Sequence, residues 1–340
     1  MQDRNERTVN PTVTAARVVA STMLCTLLLA HPAAAQTGAP FPSKPLRYIV
    51  PFAPGGTNDI MARLLAPRLS ESLGQPVIIE NIPGASGVTG SRAAASAAPD
   101  GHTLVGGSAT THGIVPVLHS PPPYDTLTDF AAISILVQMP NLLVVSTKLP
   151  VTTFADLIAL ARARPGALTF ASSGHGTTQH LSAEVFMRDA GVLLTHVPYK
   201  GSGPALADVI KGVVDMNFDN ISSALPQVRG GRLRAIGVTT RKRSPAAPDL
   251  PTLAEQGLPG MDLSSWQGLF TPAGAPAESV SILARETAKA LAHPEVQGAL
   301  RNLGADPLGL SGEAAREFIQ SELRFWRTLI SARGIRVETP

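Results

Sequence analysis

From Leu46 onward the chain repeats one pattern: a short apolar run, a turn rich in glycine and hydroxyl residues, then a helical stretch. Strands alternating with helices in this way build α/β units around a largely parallel sheet, because each helix must bury its apolar stripe on a sheet face. Leu46–Phe52 predicts a buried strand, Pro54-Gly55-Gly56-Thr57 a sharp turn, and Asn58 or Asp59 the N-cap of a helix. Ile60, Leu64, Leu65, Leu69 and Leu73 fall on one helical face, Gly74 ends the helix, and Pro67 predicts a kink or interruption within it.

The alternation continues through strands over 77–80, 103–107, 142–146, 169–172, 195–199, 215–218 and 235–239. Helices are expected near 88–97, over 154–164 and 178–189, and from Pro204. After a proline-rich connection (244–251) and a strand near 266–270, two or three helices close the chain. The last, over 312–330, turns Phe318, Leu323, Trp326 and Ile330 inward. No fixed-period repeat is present.

Composition removes several classes. Of 340 residues, 44% are hydrophobic, enough for a core and against disorder. A net charge of +3, with no run of five basic residues, argues against nucleic acid as a partner. The length suggests about two domains. Residues 1–35 carry Arg4, Arg7 and Arg17, then an apolar run from Val18 to Ala30, then Ala33-Ala34-Ala35. This is the pattern of a cleaved secretory signal, too short to span a bilayer of about 20 helical residues. The single cysteine, Cys25, lies inside it, between flanks that suit a lipid anchor poorly. The mature chain then has no cysteine and 25 basic against 23 acidic residues, which points to an exported, periplasmic protein without disulfides.

Three turns stand out as candidate sites: Pro54–Asp59, Ser172–Thr178 and Lys200–Pro204. Each precedes a helix, whose N-terminus offers unpaired N–H groups and roughly half a positive charge to an anion. Singly, each also reads as a tight strand-to-helix connection. No phosphate-loop or dinucleotide fingerprint is present, and no His-Glu-x-x-His. His175 and His180 are five apart and would not share a helical face, so no metal is expected. Ser173 near His180 invites a nucleophile–base reading, but Gly-x-Ser-x-Gly is absent. His175 projects from the middle of a glycine turn and is a candidate ligand contact, whereas His112 and His180 suit packing or capping equally well. Asp59 suits a helix cap better than a ligand ammonium, and Asp219-Asn220 follow a strand, where α/β sites form.

The stretch Tyr48–Asp59 resembles the opening of Bug-type substrate-binding proteins of tripartite tricarboxylate transporters. The resemblance continues through Glu80-Asn81 with Pro83-Gly84-Ala85, Pro99–Leu104, Tyr124-Asp125 with Asp129-Phe130, Ser172–Thr177 with His180-Leu181, Val197–Gly201, and Glu322 with Trp326. It implies an α/β fold of the two-domain periplasmic binding protein type (type II-like), with crossing strands around a cleft. Residues 36–140 and 261–340 would form the first domain, and 141–260 the second. It further implies a small carboxylate ligand, held by backbone amides and hydroxyls, and neither cofactor nor metal. Phe52, Gly55, Gly56, Thr57, Asp59, Ser108 and Thr110 would form one wall. Ser172, Ser173, Gly176, Thr177, Lys200, Gly201 and Asp219 would form the other, with His175 tuning selectivity. The expected partner of this monomer is a membrane permease or, alternatively, a sensor receptor; a serine hydrolase using Ser173 and His180 is the competing class. Ser120-Pro121-Pro122-Pro123 departs from the family pattern.

Overall fold

The computed structural model describes residues 41–335; the expected export segment lies outside them. Ten strands form one continuous set of pairings in the order β2-β1-β3-β9-β4-β7-β5-β6, with β8 and β10 also paired to β4. These are β1 (Leu46–Val50), β2 (Val77–Asn81), β3 (Thr103–Ser108), β4 (Phe130–Ser146), β5 (Thr169–Ser172), β6 (Thr195–Pro198), β7 (Met216–Asn220), β8 (Leu233–Val238), β9 (Ser264–Pro272) and β10 (Asp306–Leu310). The outer pairs β1–β2, β1–β3, β5–β6 and β5–β7 are parallel, as strand–helix alternation requires. The pairs of β4 with β7, β8, β9 and β10 are antiparallel.

β4 joins two halves of the molecule. Its Phe130–Pro140 portion pairs with β9, and its continuation from Asn141 pairs with β7. The return crossing lies beside it, where Leu263 N–H donates to Thr239 O. The sequence reading placed a strand only over 142–146. Gln138, Pro140 and Asn141 interrupt the apolar run there, yet Pro140 is tolerated in the ladder opposite Ser264.

Helices cover the sheet: α1 (Thr57–Leu73), α2 (Val88–Ala95), α3 (Val115–Leu118), α4 (Phe154–Ala163), α5 (Thr178–Ala190), α6 (Ser202–Lys211), α7 (Ile221–Arg229), α8 (Ala277–Ala292), α9 (Pro294–Leu303) and α10 (Gly312–Ala332). α1 is capped at Gly56, two or three residues before the expected Asn58 or Asp59, and has no side-chain cap. It continues through Pro67 without interruption, because Leu65 and Leu69 on either side are anchored in the core. α7 was not legible in the sequence, where Ser222, Ser223 and Pro226 look like loop residues. Trp266 and Trp326 are fully buried, and both indole N–H groups donate to the Glu322 carboxylate, at 2.8 and 3.0 Å. Burial pushes the Glu322 carboxyl above its ordinary range. Among the described residues no helix is long and apolar enough to cross a membrane.

Candidate functional site

The turns singled out in the sequence converge between the two halves. A cavity of about 30 Å³ is lined by Phe52, Gly56, Thr57, Asn58, Ser108 and Thr110 from the first half. Ser173, Thr177, Thr178, Gln179, Ser202 and Asn220 face them from the second, and Ser265 and Gln267 of β9 complete the lining. That volume holds roughly a carboxylate group or two waters, at about 10–15 Å³ for each water. The N-terminal ends of α1, α5, α6 and α7 all contribute lining residues, so four sets of helix-end N–H groups and dipoles meet here. No lining residue is formally charged. The arrangement therefore suits an anion held by partial charges and hydrogen bonds.

Direct hydrogen bonds already join the halves around the cavity. Thr57 Oγ1 meets Ser222 Oγ at 2.8 Å, Ala53 N–H donates to Lys200 O at 3.0 Å, and Thr178 N–H donates to Thr110 Oγ1 at 3.2 Å. Ser86 Oγ donates to the carbonyl of His175 at 2.6 Å. Gly203 lies so close to Pro54 that a Cβ there would stand 2.2 Å from the Pro54 carbonyl oxygen. The cleft is shut on its own backbone.

Of the residues expected at the site, Phe52, Gly56, Thr57, Ser108, Thr110, Ser173 and Thr177 line the cavity. The others are placed behind or beside it. Gly55 lies against Gly203. Asp59 accepts from Gly55 N–H, Asn81 and Arg63, so it organises the first turn rather than facing the cavity. Burial opposes its ionisation, but those donors hold its carboxyl below the ordinary value. Ser172 is turned inward to Gly174 and His196. Gly176 N–H donates to His180 Nδ1, and Gly201 sits at the N-cap of α6 against Ala53.

Asp219 is the largest departure. It is completely buried and does not reach the cavity. Its Oδ1 accepts from Ser202 Oγ, Ser223 Oγ at 2.9 Å, Gln179 Nε2 at 2.9 Å and the Asn220 N–H at 2.7 Å. It thus fixes three cavity-lining residues, Ser202, Gln179 and Asn220. Burial pushes its carboxyl upward, against the pull of these donors.

Lys200 and His175 belong to a second pocket of about 480 Å³ at the cleft's edge, lined also by Ser86, Val88, Leu118 and His119 among others. The Ser172–Thr178 turn carries the His175 ring away from the central cavity and packs it edge-on against His180 and His196. Sequence spacing had paired His175 only with His180; His196 arrives from β6, a neighbour visible only in the sheet register. Ser173 and His180 form no hydrogen bond among the described residues, since His180 Nδ1 takes the Gly176 N–H.

Asn58, Thr178 and Ser202 lie within the three turns singled out in the sequence, and Asn220 in the strand end named there, although none was chosen as a site residue. Gln179, Ser265 and Gln267 were missed altogether, Gln179 by one position from its turn. Ser265 and Gln267 gave no turn signal, because they alternate along β9 on the face turned to the cleft. Asn220 Oδ1 and Gln267 Oε1 are buried without partners among the described residues, leaving both amides with unused bonding capacity at the cavity.

The model of the tripartite tricarboxylate transporter family receptor matches residues 61–335. The chain is 36% identical over 316 residues to Protein BugT of Bordetella pertussis, covering 93% of this chain and 96% of that one. A solved R. palustris structure with adipate is 38% identical, with a TM-score of 0.84 over 87% of this chain and 99% of that chain. MatC from Rhodopseudomonas palustris with bound malate is 34% identical, with a TM-score of 0.80 over 85% of this chain and 100% of that chain.

Proposed function

The chain belongs to the tripartite tricarboxylate transporter receptor family, and from that premise we propose that it captures a small carboxylate by closing two domains over it. One observation carries this reading: four helix N-termini meet at a cavity with no formally charged lining residue. Such a site gains its selectivity for anions from N–H groups and hydroxyls aimed at one point. Thr57, Ser108, Thr110, Ser173, Asn220 and Gln267 supply side-chain donors to that ring, while the Ser202 and Thr177 hydroxyls are spent on Asp219 and the Gly174 carbonyl. Two related structures hold adipate and malate, both small carboxylates.

The two domains are 36–140 with 261–340, and 141–260, hinged where β4 and the return strand cross. The protein works in the periplasm after loss of residues 1–35, as a monomer, and hands its cargo to a membrane permease. It acts as a binding protein and not as a hydrolase: among the described residues Ser173 is hydrogen-bonded to no histidine, and its hydroxyl serves as a donor to the ligand. A thermal-shift panel of mono-, di- and tricarboxylates tests the reading, with titration calorimetry on the hits. A ligand at 100 times its dissociation constant adds about 2.7 kcal/mol of stability. A panel without any shift refutes it.

A further inference from the structure

We propose that His175, His180 and His196 form a binding site for a divalent cation of borderline softness, such as Zn²⁺, Ni²⁺ or Co²⁺. One nitrogen can be taken from each ring so that all three lie within 4.8 Å of one another. They come from three elements: the turn after β5, the first turn of α5, and β6. The His180 and His196 rings stack with centroids 4.1 Å apart, and His175 stands edge-on to both, at 5.7 and 4.9 Å.

A trio that only packed would leave its nitrogens paired within the protein. His180 Nδ1 is paired with Gly176 N–H, but His196 is not satisfied. Ser172 Oγ lies 2.6 Å from His196 Nε2 and 3.0 Å from the Gly174 carbonyl oxygen, so one side of this imidazole is held by a hydroxyl. In the tautomer with its proton on Nε2, Nδ1 presents a lone pair. Nδ1 is buried and has no partner among the described residues. An imidazole oriented by a hydroxyl on one nitrogen, with the other left open, is how metal-binding histidines are held.

Three imidazole ligands, with the Glu184 carboxylate 3.6 Å from His180 Nε2, favour zinc, nickel, cobalt or copper over magnesium or calcium. An ion at about 2.0–2.1 Å from each nitrogen requires nitrogens roughly 3.3–3.5 Å apart, so the trio must tighten and one stacked ring must tilt. His175 is half-buried, between two glycines of positive φ, and is the member with room to move. It also lines the 480 Å³ pocket, so a fourth position of the ion is reachable there by water or an anion. The site is independent of how the central cavity treats carboxylates.

The test uses the full mature chain, free of any histidine tag. Titration with Co²⁺ is expected to give the visible bands of a tetrahedral or five-coordinate ion, saturating at one equivalent and displaced by Zn²⁺. His175→Ala should weaken Co²⁺ binding at least 30-fold, while His119→Ala, on the same pocket, leaves it unchanged. His175 sits in a turn, so its replacement tests the site even if His196→Ala fails to fold. Absence of the Co²⁺ bands, full affinity in His175→Ala, or loss of affinity in His119→Ala each overturns the proposal.

Discussion

Gly203→Ala separates closure from chemistry, because Gly203 does not itself line the cavity yet fixes how near the halves can come. It is the second residue of α6 and its φ is not in the left-handed region, so alanine suits its backbone. In an open molecule the change should be neutral or stabilise by up to about 1 kcal/mol, the difference between the two residues in a helix. In the closed molecule the new Cβ would lie 2.2 Å from Pro54 O, where ordinary contact begins above 3 Å. The halves must therefore part by about 1 Å at that point. The adjoining Ala53 N–H to Lys200 O bond stretches with them, at a loss of about 1 kcal/mol. Looser ligand contacts add a similar amount, giving about 1.5–3 kcal/mol, or roughly 10- to 100-fold in Kd. Calorimetry with whichever carboxylate the panel selects measures this, and small-angle scattering reads the ligand-induced compaction. Gly298→Ala in α9, where the nearest atom to a new Cβ is 3.9 Å away, is the control and should leave affinity unchanged. An unaltered Kd in Gly203→Ala, with compaction like the parent, would refute the closure argument.

Two further predictions concern buried groups. Asp219→Ala removes the acceptor shared by Ser202, Ser223, Gln179 and Asn220; a loss of about 3 kcal/mol in urea unfolding is expected, with weaker ligand binding in the variant that remains folded. Burial lowers the His112 pKa to about 3, against an ordinary 6.5, so below pH 6.5 the unfolded chain takes up a proton that the folded chain refuses. Its contribution is complete above pH 6.5 and is lost as the pH falls towards 3, by up to about 1.4 kcal/mol per unit. Unfolding free energies measured from pH 7 to 4 should fall less steeply in His112→Asn than in the parent, and equal slopes would sink the assignment.

How much of this was readable beforehand depended on whether a residue's role was local. Pro54–Thr57 and Ser173–Thr177 announced themselves because a tight turn before a helix demands glycine and hydroxyls nearby in sequence. Phe52, Ser108 and Thr110 entered through the family resemblance, which carries positions that no local rule selects. Asp219 was named at its strand end, but the donors that hold its carboxylate behind the cavity, Gln179, Ser202 and Ser223, come from three helices that the sequence does not show to meet. Gln267 and His196 were invisible for the opposite reason. Each acts through a strand neighbour remote in sequence, Gln267 beside Val137 and His196 beside Phe170, and register is a property of the assembled sheet.

The crossing of β4 also sets an order of assembly. β3 pairs with β9 from Val105 opposite Phe270 to Ser108 opposite Gln267, and β9 is made after the whole of 141–260. Residues 141–260 pair among themselves and with the end of β4, so their sheet is complete in one uninterrupted stretch of chain. The other half must wait for β9 and α10, holding the ends of a long loop apart in the meantime. Because distant closures are slow, the inserted half is expected to fold first and to template the edge on which its host is then completed. The cavity lies between the two and takes shape only when β9 has docked and brought Ser265 and Gln267 to it.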